Sequence, residues 1–355
     1  MDKNLSVAFF PSVQYMAGNP YWPILADSLV KLGIIFIHDT TNYFDLNWLR
    51  RNHNKVKVLH LHYIQQFYRI PNTENINFSN FVKFIFSLFY AKLLGYHLVF
   101  TFHNLSPTKT LHPKWIDSLC HKTTIKISNK IIIHCNEAEF LLQKKFGRAH
   151  GVIKVNHPSV IDWYPNCIAK NTAREILNLP QDSTIFLFFG GIRPNKGIEL
   201  LIEAFNLLNN NHFHLLIAGT IQSPRSYSEK MNELSKNNNK ISLHLKKIED
   251  DDVQLYLNAS DIVALPFRSI LTSSSAHLAM SFKRPVIAPE MGCLPELIEP
   301  NMGWLFTPNN VESLAKALQL AATSDYHQFG LNSFNKMQQL SPVRFGEQTI
   351  EAYKK

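Results

Sequence analysis

Apolar runs rich in β-forming residues alternate with amphipathic helical stretches along most of the chain. Strands that are apolar on both faces are needed only where helices cover both sides of a sheet, so this alternation predicts parallel sheets of the α/β class. In the first half the strand segments are 5–10, 34–37, 56–60, 98–102 and 130–134. In the second half they are 185–189, 214–218, 241–245, 261–265, 286–288 and 303–306. A chain of 355 residues exceeds what one hydrophobic core serves. The expected architecture is therefore two doubly wound, Rossmann-like domains in tandem. Turn formers cluster in "HPSVIDWYPNCIAKNT", which places the boundary near residue 165: 1–165 for the first domain, 166–335 for the second, and 336–355 for a C-terminal helix that packs back on the first.

Bulk composition narrows the classes. Hydrophobic residues make up 45% and charged residues 18%, a balance that excludes a disordered chain. The opening "MDKNLSVAFFPSVQ" lacks a basic region followed by a long apolar one, so no secretory leader is read and a cytoplasmic location is expected. Cys120, Cys135, Cys167 and Cys293 form neither a CxxC pair nor a Cys/His ligand spacing, which argues against zinc. Lys and Arg outnumber Asp and Glu by 36 to 27, a net charge of +9, so an anionic partner is expected. No nucleic-acid-binding signature accompanies that charge, and none is expected to be the partner.

Two turns carry the chemistry. In "FLFFGGIRPNKGIELLIEAF" an apolar strand ends at Gly190 and Gly191, and Arg193 and Lys196 stand before a helical pattern. Glycines there let a ligand approach the backbone, and the two cations suit a diphosphate, Arg as a fork and Lys as a point charge. A solvated basic turn is the plain alternative. In "LPFRSILTSSSAHLAMSFKRPVIAP" the hydroxyls of Thr272, Ser273, Ser274 and Ser275 precede a helix whose free N–H groups can face an anion. A simple helix cap is again the alternative. The run Glu249 to Asp252 imitates a metal-binding DxD but opens a helix, where acids favour the positive dipole end.

The segment "FVKFIFSLFYAKLLGYHLVF" has about the length of a membrane span. Lys83, Lys92 and His97 interrupt it, and Phe81, Phe84, Ile85, Leu88 and Phe89 recur at helical spacing, so it reads as an amphipathic core helix and a strand. Lys109, Lys114, Lys122, Lys126, Lys130, Lys144, Lys145, Arg148 and Lys154 follow against only Asp117, Glu137 and Glu139. Aromatics and cations together suggest a surface for anionic lipid, with an ordinary solvated face as the alternative.

"FFGGIRPNKGIELLIEAF", "LLIAGT", "LYLNASDIVALPF", "LAMSFKRPVIAPEMGCLPELI" and "GWLFTP" fall in the order and spacing of the C-terminal domain of glycosyltransferase group 1. This is the large GT-B family that includes family 4. The resemblance covers roughly residues 180–320, and is weaker for "NPYWPILADSLVKLG", "VLHLHYI", "VFTFHN" and "VIKVNHPSV" in the first half. It implies a two-domain GT-B enzyme with a cleft between the domains, a nucleotide-sugar donor bound by the second domain and an acceptor bound by the first. It also implies that no cofactor or metal is needed, the donor itself being a GDP- or UDP-sugar co-substrate.

Arg193 and Lys196 match the family's diphosphate pair, and His103 in "TFHN" matches the histidine at the transfer site. Asn19, Tyr21, His62 and Asn104 are the expected acceptor contacts, with Asn19 and Tyr21 in a loop after the first strand. Glu290 and Glu296 are expected to bind sugar or ribose hydroxyls, although Glu296 could equally cap a helix. Retaining family 4 enzymes carry two glutamates where this chain has Ile270 and Leu278. With both acids absent, the chain looks similar to xanthan-type β-mannosyltransferases, which use GDP-mannose and invert. Such chemistry needs a general base, for which His62, His103, Asp39 and Asp45 are candidates and His103 is preferred. The implied acceptor is a bacterial polysaccharide or polyprenyl-diphosphate-linked glycan at the inner face of the cytoplasmic membrane. A retaining transferase with substituted acids, or a non-catalytic nucleotide-sugar-binding subunit of an assembly complex, remain alternatives.

Overall fold

The computed structural model describes residues 5–14, 18–37, 43–71, 73–104, 112–208, 210–223 and 225–354. The chain divides into two compact units, residues 1–158 with 340–355, and residues 159–339. In the first unit the elements are β1 (Ser6–Phe10), α1 (Tyr21–Lys31), β2 (Ile35–Phe36), α2 (Leu46–Asn52), β3 (Val58–Leu61), α3 (Phe78–Leu93), β4 (His97–Thr101), α4 (Lys114–Ile127), β5 (Lys130–Ile133), α5 (Asn136–Phe146) and β6 (Val152–Lys154). Helix α14 (Pro342–Tyr353) returns to this unit from the end of the chain.

All pairings in the first sheet are parallel, and the strand order is β2-β1-β3-β4-β5-β6. The order reverses between β1 and β3, so loops leaving their carboxyl ends diverge and open a crevice. Register aligns those ends: Phe10 lies opposite Leu61, and Leu61 opposite Phe100. Residues following β1, β3, β4 and β5 therefore stand in one row. Helix α14 crosses α1 at Gly346, where an added Cβ would lie 2.9 Å from Leu32 and from Ser28. Its last turn reaches under the sheet, where His97 Nε2 donates to the Ala352 carbonyl at 2.9 Å.

The second unit holds α6 (Lys170–Ile176), β7 (Thr184–Phe189), α7 (Ile198–Asn206), β8 (Phe213–Ala218), α8 (Arg225–Ser235), β9 (Ile241–His244), α9 (Val253–Ala259), β10 (Ile262–Ala264), α10 (Ser274–Ser281), β11 (Val286–Pro289), α11 (Leu294–Leu297), β12 (Gly303–Phe306), α12 (Val311–Thr323) and α13 (Tyr326–Gln339). Its sheet is also parallel, with order β12-β11-β10-β7-β8-β9 and the reversal between β7 and β10. The buried Asp261 carboxylate pins the other end of these two strands. It accepts from Arg174 at 2.7 Å, from Lys170 at 2.5 Å and from the Ile185 amide at 2.7 Å.

Two elements were not expected from the sequence. Strand β6 is three residues at the sheet edge and partly solvated, so it lacks the apolar run that marks the others. Helix α13 is polar, and its buried residues are Gly330, Ser333 and Met337, two of them without the apolar bulk that signals a core face. In α3 the buried residues include Phe81, Phe84 and Leu88, as expected of an amphipathic core helix, whereas Phe89 is exposed. Among the described residues no helix is long and apolar enough to cross a membrane.

Candidate active site

In the second unit the polar residues gather at the carboxyl ends of β7 and β10, on both sides of the strand-order reversal. Gly190 has φ +142°, a backbone that side-chain-bearing residues rarely adopt, and a Cβ there would stand 3.4 Å from Ser275 Oγ. The glycine turn and the serine loop, more than 80 residues apart in sequence, are thus neighbours across the crevice. Arg193 precedes a short 3₁₀ turn, Pro194–Lys196, and Gly197 at φ 67° leads into α7. A Cβ on Gly197 would meet the Pro266 carbonyl at 2.1 Å, so only glycine lets this turn lie against the loop after β10.

Lys196 sits 4.4 Å over the Phe267 ring, and burial, with Arg193 as a second cause, pushes its ammonium down to about 8. A bound anion would lower the cost of holding this cation beside another. Ser273 spends its hydroxyl as the N-cap of α10, accepting from the Ala276 amide at 3.2 Å. Ser274 is exposed, while Thr272 and Ser275 are half-buried. Glu290 is exposed and directly follows β11, the neighbour of β10. Glu296 lies in the first turn of the four-residue α11.

Sequence reasoning missed Arg268. Its backbone N–H donates to the Asn195 carbonyl at 3.0 Å, and its guanidinium pairs with Glu199 of α7 at 2.7 Å. The Tyr227 hydroxyl donates to the other Glu199 oxygen. These contacts tie the loop after β10 to the Arg193 and Lys196 turn. No local pattern announces a pair 69 residues apart. At the positions where the resemblance expects glutamates, Ile270 is half-buried and Leu278 is buried.

In the first unit the corresponding row is built of histidines. His62 follows β3, His103 follows β4 and His134 follows β5. His62 Nδ1 and His103 Nε2 share a hydrogen bond at 3.1 Å, and His134 Nε2 shares one with the Tyr21 hydroxyl at 3.3 Å. His60 is held between the Tyr353 hydroxyl of α14 and the Thr101 hydroxyl, each at 2.7 Å. Tyr63 stacks on the His103 ring, with centroids 4.9 Å apart. Burial lowers the pKa of His60, His62 and His103 well below the ordinary histidine value, and each is lowered further by the imidazoles around it. His134 is lowered by burial to about 4. These rings are neutral at neutral pH, so one that meets an acceptor hydroxyl can take its proton.

Tyr21 is not in a loop. It opens α1 and is buried among Trp22, His103 and Phe345, because its large ring fills the space between α1 and α14. Asn19 and Asn104 are half-buried, and Asn19 Oδ1 accepts from the Tyr21 amide. His62 is buried, and its Nε2 and the Trp22 Nε1 find no hydrogen-bond partner among the described residues. Asp45 is not available as a base, since it caps α2 through the Trp48 amide at 2.7 Å. Asp39 lies outside the described residues. Glu249 to Asp252 lie in and just before the 3₁₀ turn that opens α9. Among the described residues no group of three or more His, Cys, Asp or Glu side chains is placed to hold a metal ion. A cavity of about 750 Å3 lies at the opposite, amino-terminal ends of β1, β3 and β4, lined by Leu5, Val58, Tyr96 and Tyr353 among others, and none of the candidate residues lines it.

Residues 169–336 match the glycosyl transferases group 1 family. That stretch contains every second-unit element from α6 to α12 and most of α13. It is a glycosyl transferases group 1 domain, and the chain is a transferase. The chain is similar, at 24% identity over 71% of its length and 67% of the relative's, to a GDP-mannose:glycolipid 4-beta-D-mannosyltransferase of Xanthomonas campestris pv. campestris. A sucrose-phosphate synthase from Thermosynechococcus elongatus superposes with a TM-score of 0.75, 17% identity and 98% coverage of both chains. Anabaena HepE, in complex with UDP-glucose, gives 0.73, 16% and the same coverage. The two units, each a six-stranded parallel sheet between helices, are those of the GT-B fold. Within the group 1 domain lie Gly190, Gly191, Arg193, Lys196, Thr272 to Ser275, Glu290 and Glu296, and also Arg268. His103, His62, Tyr21, Asn19 and Asn104 lie outside it.

Proposed function

We propose that the enzyme transfers a hexosyl group from a nucleotide diphosphate sugar, the donor held by the group 1 domain, to an acceptor hydroxyl presented to the first unit. The observation that carries this reading is the meeting of Arg193, Lys196, the Gly190 turn and Ser275 at the strand-order reversal of the second sheet. In the reaction the acceptor oxygen bonds to the anomeric carbon, and the bond from that carbon to the diphosphate oxygen breaks. His103 takes the hydroxyl proton, and Arg193 and Lys196 stabilise the charge that grows on the diphosphate, with no metal or cofactor needed. Similarity to the Xanthomonas enzyme supports GDP-mannose as donor and a glycolipid as acceptor, which would be met at a membrane surface.

A thermal-shift screen against UDP, GDP, TDP and their sugar conjugates tests this. A ligand that binds only the folded state raises the melting temperature. One diphosphate is expected to stabilise the wild type but not the Arg193→Ala, Lys196→Ala double variant, and Arg193→Ala alone should lower turnover about 10²–10³-fold. No shift with any nucleotide at millimolar concentration would remove the donor assignment. The apolar residues Ile270 and Leu278 favour one second reading, a subunit that binds the donor without turning it over. Donor hydrolysis without acceptor, measured on the wild type, decides between them.

A further inference from the structure

We propose that the outer faces of α3 and α4 form a docking surface for an anionic lipid bilayer. The sequence suggests the wrong stripe for this. Phe81, Phe84 and Leu88 are spent in the core, yet the opposite face of α3 is apolar too. Phe86 is 65% exposed, Phe89 56% and Leu93 80%, at spacings of three and four that put them on one side of the helix, and Phe78 extends the stripe at its start. On α4, which packs beside α3, Trp115 at 60% and Leu119 are exposed one turn apart. The Trp115 ring lies 6.4 Å from Phe81, and Phe81 lies 5.5 Å from Phe78, so the two stripes adjoin. Large aromatics on a solvated helix face need a cover.

Charge chooses the cover. Lys83, Lys114, Lys122 and Lys126 are exposed on the same two helices. Between Glu74 and Glu137 the sequence holds one carboxylate, Asp117, and that one is buried, accepting the Tyr68 hydroxyl at 2.7 Å. Two adjacent helices thus offer aromatics and lysines to the outside with no exposed acid. Rings at the acyl boundary and ammonium groups among anionic headgroups make up the interfacial pattern. A protein partner matched to this face would itself have to be acidic and apolar, and a second copy would bring lysines against lysines. Other basic residues of this half serve the fold instead. Arg148 is buried and donates to the Ser128 and Asn129 carbonyls, Lys92 donates to Asn129 and Lys154 to Asn136. The surface deepens the membrane part of the proposed function, but it rests on exposure and charge and not on the donor.

Co-sedimentation with vesicles of phosphatidylcholine alone and with a third of phosphatidylglycerol tests it. The wild type is expected to sediment with the anionic vesicles and to release as salt rises. Phe86→Ser with Phe89→Ser should weaken binding at least tenfold, and Lys122→Gln with Lys126→Gln about twenty-five-fold, from about fivefold per lysine. All these side chains are exposed, so melting temperature and the nucleotide-induced shift should stay at wild-type values. Wild type that stays in the supernatant, or variants that sediment as well as wild type, would overturn the proposal. So would a wild-type dimer that Phe86→Ser with Phe89→Ser dissolves, since a second copy would then own the face. A wild type that shows the nucleotide shift but binds no vesicles counts against the docking surface alone, and a wild type that binds vesicles but shows no nucleotide shift counts against the donor site alone.

Discussion

Replacing Lys196 by Met should stabilise the empty enzyme and disable it. Burial lowers the Lys196 ammonium from 10.5 to about 8, which corresponds to about 3 kcal/mol held against the charged form. The sign follows from the two states. The unfolded chain keeps the proton up to its ordinary value, whereas the folded chain gives it up near 8. The penalty is therefore fully present below pH 8 and is relieved as pH rises from there toward 10.5. Methionine fills nearly the same space without a charge, so at pH 7 it recovers about 3 kcal/mol. It forfeits the contact over the Phe267 ring, worth about 1–2 kcal/mol. The net gain of about 1–2 kcal/mol should raise the melting temperature of the ligand-free second unit by a few degrees.

With donor present that advantage is offset. A diphosphate at about 100 times its Kd stabilises the wild type by about 2.7 kcal/mol. Loss of one charge-assisted contact, about 1.5–3 kcal/mol, leaves the variant with a ligand-induced gain of about 1 kcal/mol or less at the same concentration. Paired melts of wild type and Lys196→Met, with and without the nucleotide diphosphate, at pH 7 and pH 9.5, measure both quantities. The advantage of the empty variant should shrink at the higher pH. A variant that melts below wild type when empty, yet keeps the full nucleotide shift, would make Lys196 a packing residue and refute the reasoning.

Neutral imidazoles lead to two further outcomes. Since burial lowers His103, the acid limb of a kcat/KM profile should lie below the ordinary histidine value of about 6.5; an acid limb at or above that value would exclude His103 as the base. The same lowering makes the first unit acid-sensitive, because the unfolded chain protonates near 6.5 while His60, His62, His103, His121 and His134 resist, so stability is lost as pH falls through that range. Each contributes about 1 kcal/mol of loss between pH 6.5 and 5.5, about 5 kcal/mol in sum, and denaturant titrations at the two pH values that agree within 1 kcal/mol would contradict the burial of these rings.

The parallel sheets were legible because a strand buried on both faces must be apolar throughout, and eleven strands announce themselves by composition alone. The Gly190 to Lys196 turn was legible for a related reason. Glycines and two cations at the end of such a strand mark a turn that can face an anion, although a solvated basic turn has the same local pattern. What stayed hidden depends on partners distant in sequence. The Arg268 to Glu199 pair and the His60 to Tyr353 hydrogen bond, 293 residues apart, have no local signature. Tyr21 reads as a loop residue from the turn formers around it, and becomes a core residue only because α14 comes back to cover it. Asp45 reads as a possible base until the helix that it caps is seen.

The two units place their polar edges by the same rule and fill them with opposite electrostatics. Each sheet reverses strand order once, and in each the residues that follow the flanking strands converge at that point. In the second unit the convergent groups are permanent or near-permanent cations, Arg193 and Lys196, beside a glycine turn that leaves the backbone accessible. Such a site favours an anion already present in the ground state and more so as charge grows on a leaving diphosphate. In the first unit the convergent groups are imidazoles kept neutral by burial and by one another. A site of that kind repels nothing, and can take a proton only once one is released. Exchanging the two chemistries would fail: imidazoles lowered below neutrality could not hold a diphosphate at pH 7, and cations could not accept a proton from a hydroxyl. The division of labour proposed for transfer thus follows from what each crevice is made of, and it predicts that charge added at His62 or His103 and charge removed at Arg193 or Lys196 will each impair turnover by separable routes, the first without loss of the nucleotide shift and the second with it.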